Sequence, residues 1–233
     1  MTFEILRKEP IKFYKQNGIC FFEPFHAADK YKRPLNVEWR LKPESSAIIA
    51  KSTYIDDVSI YDMALSRSKD EFKGISIVAN PKHKEIGEVL NLASLITFKE
   101  NLFSNYKVFA LRDSVQFYAK YGFNLLSSNI NEVIHNLNFL SKAKEGKFAD
   151  MKDSAGFFIK QIENKNGEER LMYISHGNNL VSDYIRELAR DGKKIDGDDL
   201  YNHTHMQFST LDTIRNRDYL NALLDKHEIN YKI

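Results

Sequence analysis

The sequence predicts an α+β protein, and two changes of pattern along the chain carry that prediction. Three segments rich in apolar and β-branched residues follow one another with polar, turn-like residues between them, which favours consecutive antiparallel strands at 47–51, 54–63 and 74–79. From Ile86 onward the apolar residues take the three-and-four spacing of an amphipathic helix. Strand therefore gives way to helix across residues 80–85.

Downstream segments continue the alternation of strands and helices. We predict a strand at 105–111, a short helix at 113–120 that Gly122 ends, and a further strand at 123–127. The order from residue 45 to residue 127 is therefore β-β-β-α-β-α-β. The rest of the chain is predicted to hold helices at 132–144, 180–190 and 210–227, and a β-hairpin with strands at 157–162 and 170–175.

Composition excludes several classes of protein. Of the 233 residues, 42% are hydrophobic and 28% are charged, which is typical of a globular protein rather than a disordered or fibrous one. The net charge of +2 gives no large basic field, so nucleic acid is not an implied partner. No apolar run reaches the roughly 18 to 20 residues of a membrane span, and the N-terminus lacks a signal-peptide core. We expect a cytoplasmic protein that does not bind membranes.

Cysteine and histidine give weak signals. The single Cys20 excludes an intramolecular disulfide, and its apolar neighbours predict a buried, inert thiol. His203 and His205 could lie on one face of a strand and bind a metal, with His176 or with Asp198 and Asp199 completing the set of ligands. Histidines two apart with no evident third ligand are more typical of a surface, so we predict no metal site, and we place His176 in a turn after a strand.

The stretch NPKHKEIGEVLNLASLI, residues 80–96, suggests a phosphate-binding turn. The first backbone N–H groups of a helix lack partners and carry partial positive charge, so a turn that leads directly into a helix can hold a pyrophosphate. Gly87 would permit close backbone approach, while Lys82 and Lys84 add positive charge. The alternative is a basic loop before an ordinary helix.

These residues resemble the pyrophosphate loop of the GNAT superfamily of N-acetyltransferases, which follows the fourth strand with the pattern Gln/Arg-x-x-Gly-x-Gly/Ala. Aligned on Gly87, Lys82 falls on the Gln/Arg position and Glu85 on the first glycine. A second stretch, VFALRDSVQFYAKYGF at 108–123, is similar to the family element that ends in Phe-Tyr-x-Lys-x-Gly-Phe, and the matching residues are Phe117, Tyr118, Lys120, Gly122 and Phe123.

The resemblance implies a GNAT-like fold, a mixed and mostly antiparallel central sheet flanked by helices. The residue patterns after residue 130 add a C-terminal β-hairpin and helical extension. Residues 1–130 would form the domain that binds acyl-CoA. Residues 131–233 would form the extension, mostly helical with a hairpin near 157–175. The implied activity is transfer of an acyl group from acetyl-CoA or another acyl-CoA to a primary amine of a small molecule or protein, by direct attack in a ternary complex. A homodimer is also expected from the resemblance.

Site residues follow from the same resemblance. Ile77, Val78 and Ala79 would line the pantetheine arm. The pyrophosphate would face Lys82 and the backbone amides around Lys84, Glu85, Ile86, Gly87 and Glu88.

Tyr118 occupies the position of the family's general acid, which would protonate the departing thiolate. The alternative is a tyrosine packed between Phe117 and Tyr121. The general base stays open between Asp56, Asp57 and Glu44. Since strand alternation points Asp56 and Asp57 to opposite faces, at most one of them can face a cleft.

Glu85 departs from the family pattern. A carboxylate beside a pyrophosphate adds like-charge repulsion and a side chain where close approach is wanted. The alternative function is therefore a catalytically inactive GNAT-like protein that acts as an interaction scaffold or effector.

Overall fold

The computed structural model describes residues 9–41, 46–52, 58–66, 70–79, 85–142, 149–195, 199–201 and 203–233. Its strands are β1 (Phe13–Gln16), β2 (Ile19–Phe22), β3 (Phe25–Ala28), β4 (Pro34–Leu41), β5 (Ser46–Ser52), β6 (Val58–Ser66), β7 (Glu71–Val78), β8 (Asn105–Leu111), β9 (Asn124–Leu125) and β10 (His203–Ser209). Its helices are α1 (Ile86–Glu100), α2 (Arg112–Lys120), α3 (Ile130–Ser141), α4 (Ala149–Asn164), α5 (Gly167–Arg190), α6 (Thr210–Arg215) and α7 (Arg217–Lys226).

The chain forms two compact units. The first combines Met1–Tyr106 with Thr213–Ile233, and the second is Lys107–Asp212. The predicted domain boundary at residue 130 stays a prediction. The two compact units divide elsewhere, after Tyr106 and after Asp212.

The first unit contains an antiparallel sheet whose strands β3, β4, β5, β6 and β7 lie in chain order. Strand alternation places one face of this sheet in the core, and helix α1 covers that face. The side chains of this face are fully buried: Leu35, Val37, Ile48, Ala50, Tyr61, Met63 and Phe72. The apolar pattern that predicted strands followed by a helix therefore arises from the packing of α1 on this face of the sheet.

A β-bulge interrupts the pairing of β6 with β7. Asp62 pairs with Ser76 and Met63 pairs with Gly74, so Ile75 is the extra residue on β7. Ile75 and, further along the strand, Val78 both expose their apolar side chains to solvent.

The C-terminal segment completes the first unit. Leu220 and Leu224 of α7 are fully buried, and so is His227 just beyond the helix. The hydroxyl of Tyr231 donates to Glu100 at the end of α1, at 2.5 Å. The contact of Tyr231 with Glu100 joins the C-terminal segment to α1 within one unit.

The second unit holds most of β8, strands β9 and β10, and a group of helices. Strand β10 lies between β8 and β9 and pairs antiparallel with β9. Helices α3, α4 and α5 pack on one another, with fully buried side chains such as Leu137, Ile162 and Ile185 between them. None of the helices in the described ranges has the length and apolar character needed to cross a membrane.

The predicted α+β class is confirmed, as is the order β-β-β-α-β-α-β, although the last strand is only β9. The predicted β-hairpin near 157–175 is wrong: helices α4 and α5 occupy these residues, and His176 lies within α5 rather than in a turn. Short apolar runs suggested strands, but burial repeats at seven residues, as in Ala155 and Ile162, which is a helical period. The predicted helix at 180–190 is the second half of the longer α5.

Candidate functional site

The candidate site lies where β7 leads into α1, in the first unit. Val78 at the end of β7 is 63% exposed, and Ala79 after it is exposed as well, while Ile77 is half-buried. Apolar surface at this end of the sheet is therefore open to solvent. The predicted phosphate contacts Lys82 and Lys84 lie outside the described residues.

Glu85 immediately precedes α1 and has a backbone conformation that favours glycine. Its φ of 80° and ψ of 3° lie in the left-handed region, which costs a residue with a Cβ atom about 1 kcal/mol or more. This residue falls on the first glycine of the GNAT pattern. The backbone at Glu85 thus has a conformation that glycine adopts readily, although the residue carries a charged side chain.

The backbone amides at the start of α1 divide into two groups. The carbonyl of Glu85 accepts from the N–H of Glu88 at 3.0 Å and from that of Val89 at 3.2 Å. Over the described ranges, no backbone carbonyl is paired with the N–H of Ile86 or Gly87. These two N–H groups are the ones available to an anion, and the pyrophosphate site itself stays a prediction.

The carboxylate of Glu85 pairs with a lysine from the far end of the chain. Its Oε2 lies 2.9 Å from Nζ of Lys226, in the last turn of α7, and the same Nζ lies 2.9 Å from Oε1 of Glu88. Burial would lower the pKa of Lys226, but hydrogen bonds and charge from the two glutamates outweigh it and raise that pKa. A charged ammonium therefore balances the acidic residue that departs from the pattern.

Glu88 turns its side chain into the protein. It is 3% exposed, and its Oε1 lies 2.8 Å from Nε2 of the fully buried His227. The other ring nitrogen, Nδ1, lies 2.7 Å from the carbonyl oxygen of Ala28. Because a carbonyl only accepts, Nδ1 carries a proton and the ring orientation is fixed. We call Glu85, Glu88, Lys226 and His227 the terminal clasp.

The terminal clasp also brings together three side chains of metal-binding type. One ligand atom each from Glu85, Glu88 and His227 lies within 4.8 Å of the others. Lys226 already places a positive charge 2.9 Å from both carboxylates, so a divalent cation would have to displace it. The arrangement therefore favours a structural ion pair. Sequence patterns missed it because Lys226 and Glu88 are 138 residues apart.

The predicted catalytic residues are only partly described. Tyr118 lies in α2, in the second unit, and is 5% exposed. Its ring packs edge-on against Phe117 and Phe123, with centroids 5.2 and 5.3 Å away. Its role as general acid stays a prediction. Asp56, Asp57 and Glu44 lie outside the described residues.

The histidines considered for a metal site, His176, His203 and His205, are not part of the terminal clasp. His203 and His205 are exposed on one face of β10, as predicted, and their rings lie 5.4 and 4.9 Å from that of Phe109. His176 lies on α5, 6.2 Å from the ring of Phe158. Within the described ranges, the grouping with metal-binding spacing is Glu85, Glu88 and His227, and it includes none of these three histidines.

Comparisons with known proteins find a structural likeness but no matching family model. No protein family model matches the chain, and no curated protein matches it. Among solved structures, the chain is similar to a crystal structure of nourseothricin acetyltransferase, at 14% sequence identity and a TM-score of 0.33. That match covers 51% of this chain and 70% of the other.

Proposed function

We propose that this chain is an acyl-CoA-dependent N-acyltransferase that transfers an acyl group, with acetyl as the first candidate, to a primary amine of a small molecule or protein. The observation that carries the proposal is the left-handed conformation of Glu85 between β7 and α1. Strand β7 comes before α1 in the chain, and Glu85, with its glycine-type backbone, directly precedes the helix, where the resemblance expects the pyrophosphate of acyl-CoA.

Two further features support cofactor binding at this position. Lys226 pairs with Glu85, so the carboxylate does not meet the phosphates as a free charge. The exposed side chain of Val78 offers apolar contact next to the helix start, as a pantetheine arm would need. Both features concern cofactor binding and leave the amine acceptor open.

The chemistry requires an unprotonated amine. Its nitrogen attacks the thioester carbonyl, a C–N bond forms, the C–S bond breaks, and the departing thiolate takes a proton. In the proposal Tyr118 donates that proton. The residue that deprotonates the amine is not assigned.

Calorimetric titration with acetyl-CoA tests cofactor binding. We expect a dissociation constant in the micromolar range for the wild-type protein, and at least a tenfold weaker one for Gly87→Trp, because the indole would cover the free amides. Glu85→Gly serves as the matched control, since it keeps the backbone conformation, and it should bind at least as tightly as wild type. Circular dichroism confirms that both variants are folded.

A turnover assay tests the chemical step. Release of free CoA thiol is measured with a panel of amines, with an amine-free reaction as the control for hydrolysis. Tyr118→Phe should lower kcat about ten- to a hundredfold if its hydroxyl is the acid. Tyr121→Phe, in the same segment, should leave kcat unchanged. An unchanged kcat in Tyr118→Phe, with chemistry rate-limiting, removes Tyr118 from this role.

One observation favours a second function, an inactive GNAT-like scaffold or effector. Glu85 and Glu88 place two carboxylates in or beside the first turn of α1, and they already hold a lysine there. If the clasp keeps that lysine fully engaged, Lys226 offers no free charge to a phosphate. Absence of binding to acetyl-CoA and to longer acyl-CoAs, with the protein folded, would favour this alternative.

A further inference from the structure

The connection between β3 and β4 presents an aromatic ring among basic side chains. Lys30, Tyr31 and Lys32 are all exposed, and Tyr31 is 57% exposed. The guanidinium carbon of Arg33 lies 5.0 Å from the centre of the Tyr31 ring, and Nζ of Lys30 lies 5.9 Å from it. Both distances fall in the range of cation–π contacts. We call residues 30–33 the basic turn.

Hydrogen bonds fix the conformation of the basic turn. Asp29, which is 2% exposed, accepts from the backbone N–H groups of Tyr31 and Arg33 with one carboxylate oxygen and from the Arg33 guanidinium with the other. The guanidinium is thereby held against the Tyr31 ring. Because the turn is ordered in the absence of a ligand, binding to it would cost little conformational entropy.

The positive charge of the basic turn is only partly balanced by acidic residues. Lys32 lies 3.5 Å from Glu228, and Arg33 pairs with Asp29. Over the residues that the structure describes, Lys30 has no ion-pair partner, and its electrostatic contact is with the ring of Tyr31. An ammonium group next to an exposed aromatic ring is therefore available to a ligand.

The basic turn lies close to the start of α1, within the first unit. Nζ of Lys32 donates to the backbone carbonyl of Lys226 at 2.6 Å. Nζ of Lys226 in turn lies 2.9 Å from Oε2 of Glu85, the residue before α1. The length of one lysine therefore separates the basic turn from the helix start at which the pyrophosphate is proposed to bind.

We propose that the basic turn binds the adenosine 3′-phosphate end of acyl-CoA, an inference that rests on the function proposed above. Acyl-CoA has two anionic groups, the pyrophosphate and the 3′-phosphate, and its adenine base lies beside the second. With the pyrophosphate at the N–H groups of Ile86 and Gly87, adenine stacks on the ring of Tyr31. Lys30 pairs with the 3′-phosphate, and Arg33 is a positioning residue for the ring.

The combination of ring and charge selects this ligand. Inorganic phosphate would use the ammonium of Lys30 and leave the ring of Tyr31 in water. A neutral aromatic molecule would use the ring and leave the charge without a partner. A phosphorylated nucleoside uses both groups, and the attached pyrophosphate reaches the free amides of α1.

Calorimetric titration with acetyl-CoA and with acetyl-dephospho-CoA, which lacks the 3′-phosphate, tests the contact with Lys30. In wild type the loss of this phosphate should weaken binding about five- to tenfold. Lys30→Gln should weaken binding of acetyl-CoA by the same factor and leave that of acetyl-dephospho-CoA unchanged, because the contact is already absent there. Tyr31→Leu should weaken binding of both ligands about fivefold or more, since both contain adenine.

Tyr14→Leu and Lys15→Gln are the matched controls, because they change an exposed tyrosine and an exposed lysine on β1 of the same unit. Both should bind the two ligands as wild type does, and circular dichroism checks the fold of every variant. Wild-type binding of acetyl-CoA that Lys30→Gln leaves unchanged, or that it weakens equally for both ligands, overturns this inference while the proposed function stands. A wild-type protein that binds neither ligand overturns both.

Discussion

Glu85 combines a backbone conformation that favours glycine with a charged side chain. Its left-handed conformation is one that glycine adopts without strain, and its carboxylate is held by Lys226. The two effects oppose each other, since the strain destabilises the fold and the ion pair stabilises it. Substitutions at this position separate them.

Glu85→Gly and Glu85→Ala both remove the ion pair, but only Glu85→Ala keeps a Cβ atom in the left-handed conformation. We expect the glycine variant to have the larger free energy of unfolding, by about 1 kcal/mol. Within a helix the order would be reversed, because alanine is favoured there. Urea denaturation of the two variants measures the difference, and equal stabilities would mean that Glu85 is unstrained.

Lys226 should make stability depend on alkaline pH. Because its pKa is raised in the folded state, its contribution is present below its ordinary pKa of about 10.5 and is lost as the pH rises through the folded value. Lys226→Met should lower the free energy of unfolding at pH 7 by about 1–2 kcal/mol, since buried Glu88 loses a partner.

The control for this prediction is Lys232→Met, which removes an exposed pair with Asp225 and should change stability by less than about 0.5 kcal/mol. Denaturant melts between pH 7 and pH 11 compare the variants. The loss of stability near the alkaline end should be smaller in Lys226→Met than in the other two proteins. A steeper loss in Lys226→Met would contradict the assigned role.

At the scale of elements, the connection between β3 and β4 depends on Asp29. One carboxylate oxygen accepts from the backbone N–H groups of Tyr31 and Arg33, at 2.8 and 2.9 Å, and the other accepts from the Arg33 guanidinium at 2.7 Å. Burial opposes ionisation of Asp29, but these hydrogen bonds outweigh it and lower its pKa. The turn is thus fixed by a charged group.

Asp29→Asn should therefore destabilise the protein at pH 7 by about 1–3 kcal/mol. A lowered pKa means that the contribution of Asp29 is present above its ordinary pKa of about 3.9 and is lost as the pH falls through the folded value. The difference between wild type and Asp29→Asn, measured by thermal melts from pH 7 to pH 2, should shrink at the acid end. A constant difference would show that the charge of Asp29 is not involved.

Local patterns predicted the elements well where a segment packs into the core. The apolar, β-branched run at 47–51 and the helical spacing from Ile86 both mark such segments, so their types and order are confirmed. The segment 157–175 failed because short apolar runs fit either period, and the seven-residue repeat of buried positions only becomes visible over the full length of α4 and α5.

Only the part of the candidate site formed by residues that are neighbours in sequence was predicted. Gly87 and the junction of β7 with α1 follow from neighbouring residues. Lys226 and His227 do not, because they reach Glu88 across 138 and 139 residues, and no spacing rule connects them. Contacts of that kind are set by tertiary packing, which a single sequence does not display.

At the scale of the whole molecule, the first unit needs both ends of the chain. The N-terminal segment supplies the sheet and α1, and Thr213–Ile233 supplies α7 and His227. The second unit, Lys107–Asp212, is continuous in sequence. The two units should therefore respond differently to removal of the C-terminal segment.

Deletion of residues 213–233 should unfold the first unit and leave the second one folded. The deletion removes the fully buried Leu220 and Leu224 and leaves Glu88 and the carbonyl of Ala28 without His227. Hydrogen exchange followed by mass spectrometry should show lost protection in α1 and β4 to β6, with protection kept in α3 and α5. Unchanged protection in α1 would refute this dependence.

The divided first unit also has a consequence during synthesis on the ribosome. The sheet and α1 emerge early, but their last partners, Leu224 and His227, are translated only after the whole of Lys107–Asp212. At about 5–20 residues per second, that delay is on the order of 5–20 s. For this interval the nascent chain presents an unfinished apolar surface, so the earlier half of the polypeptide should depend on chaperones more than the later half does.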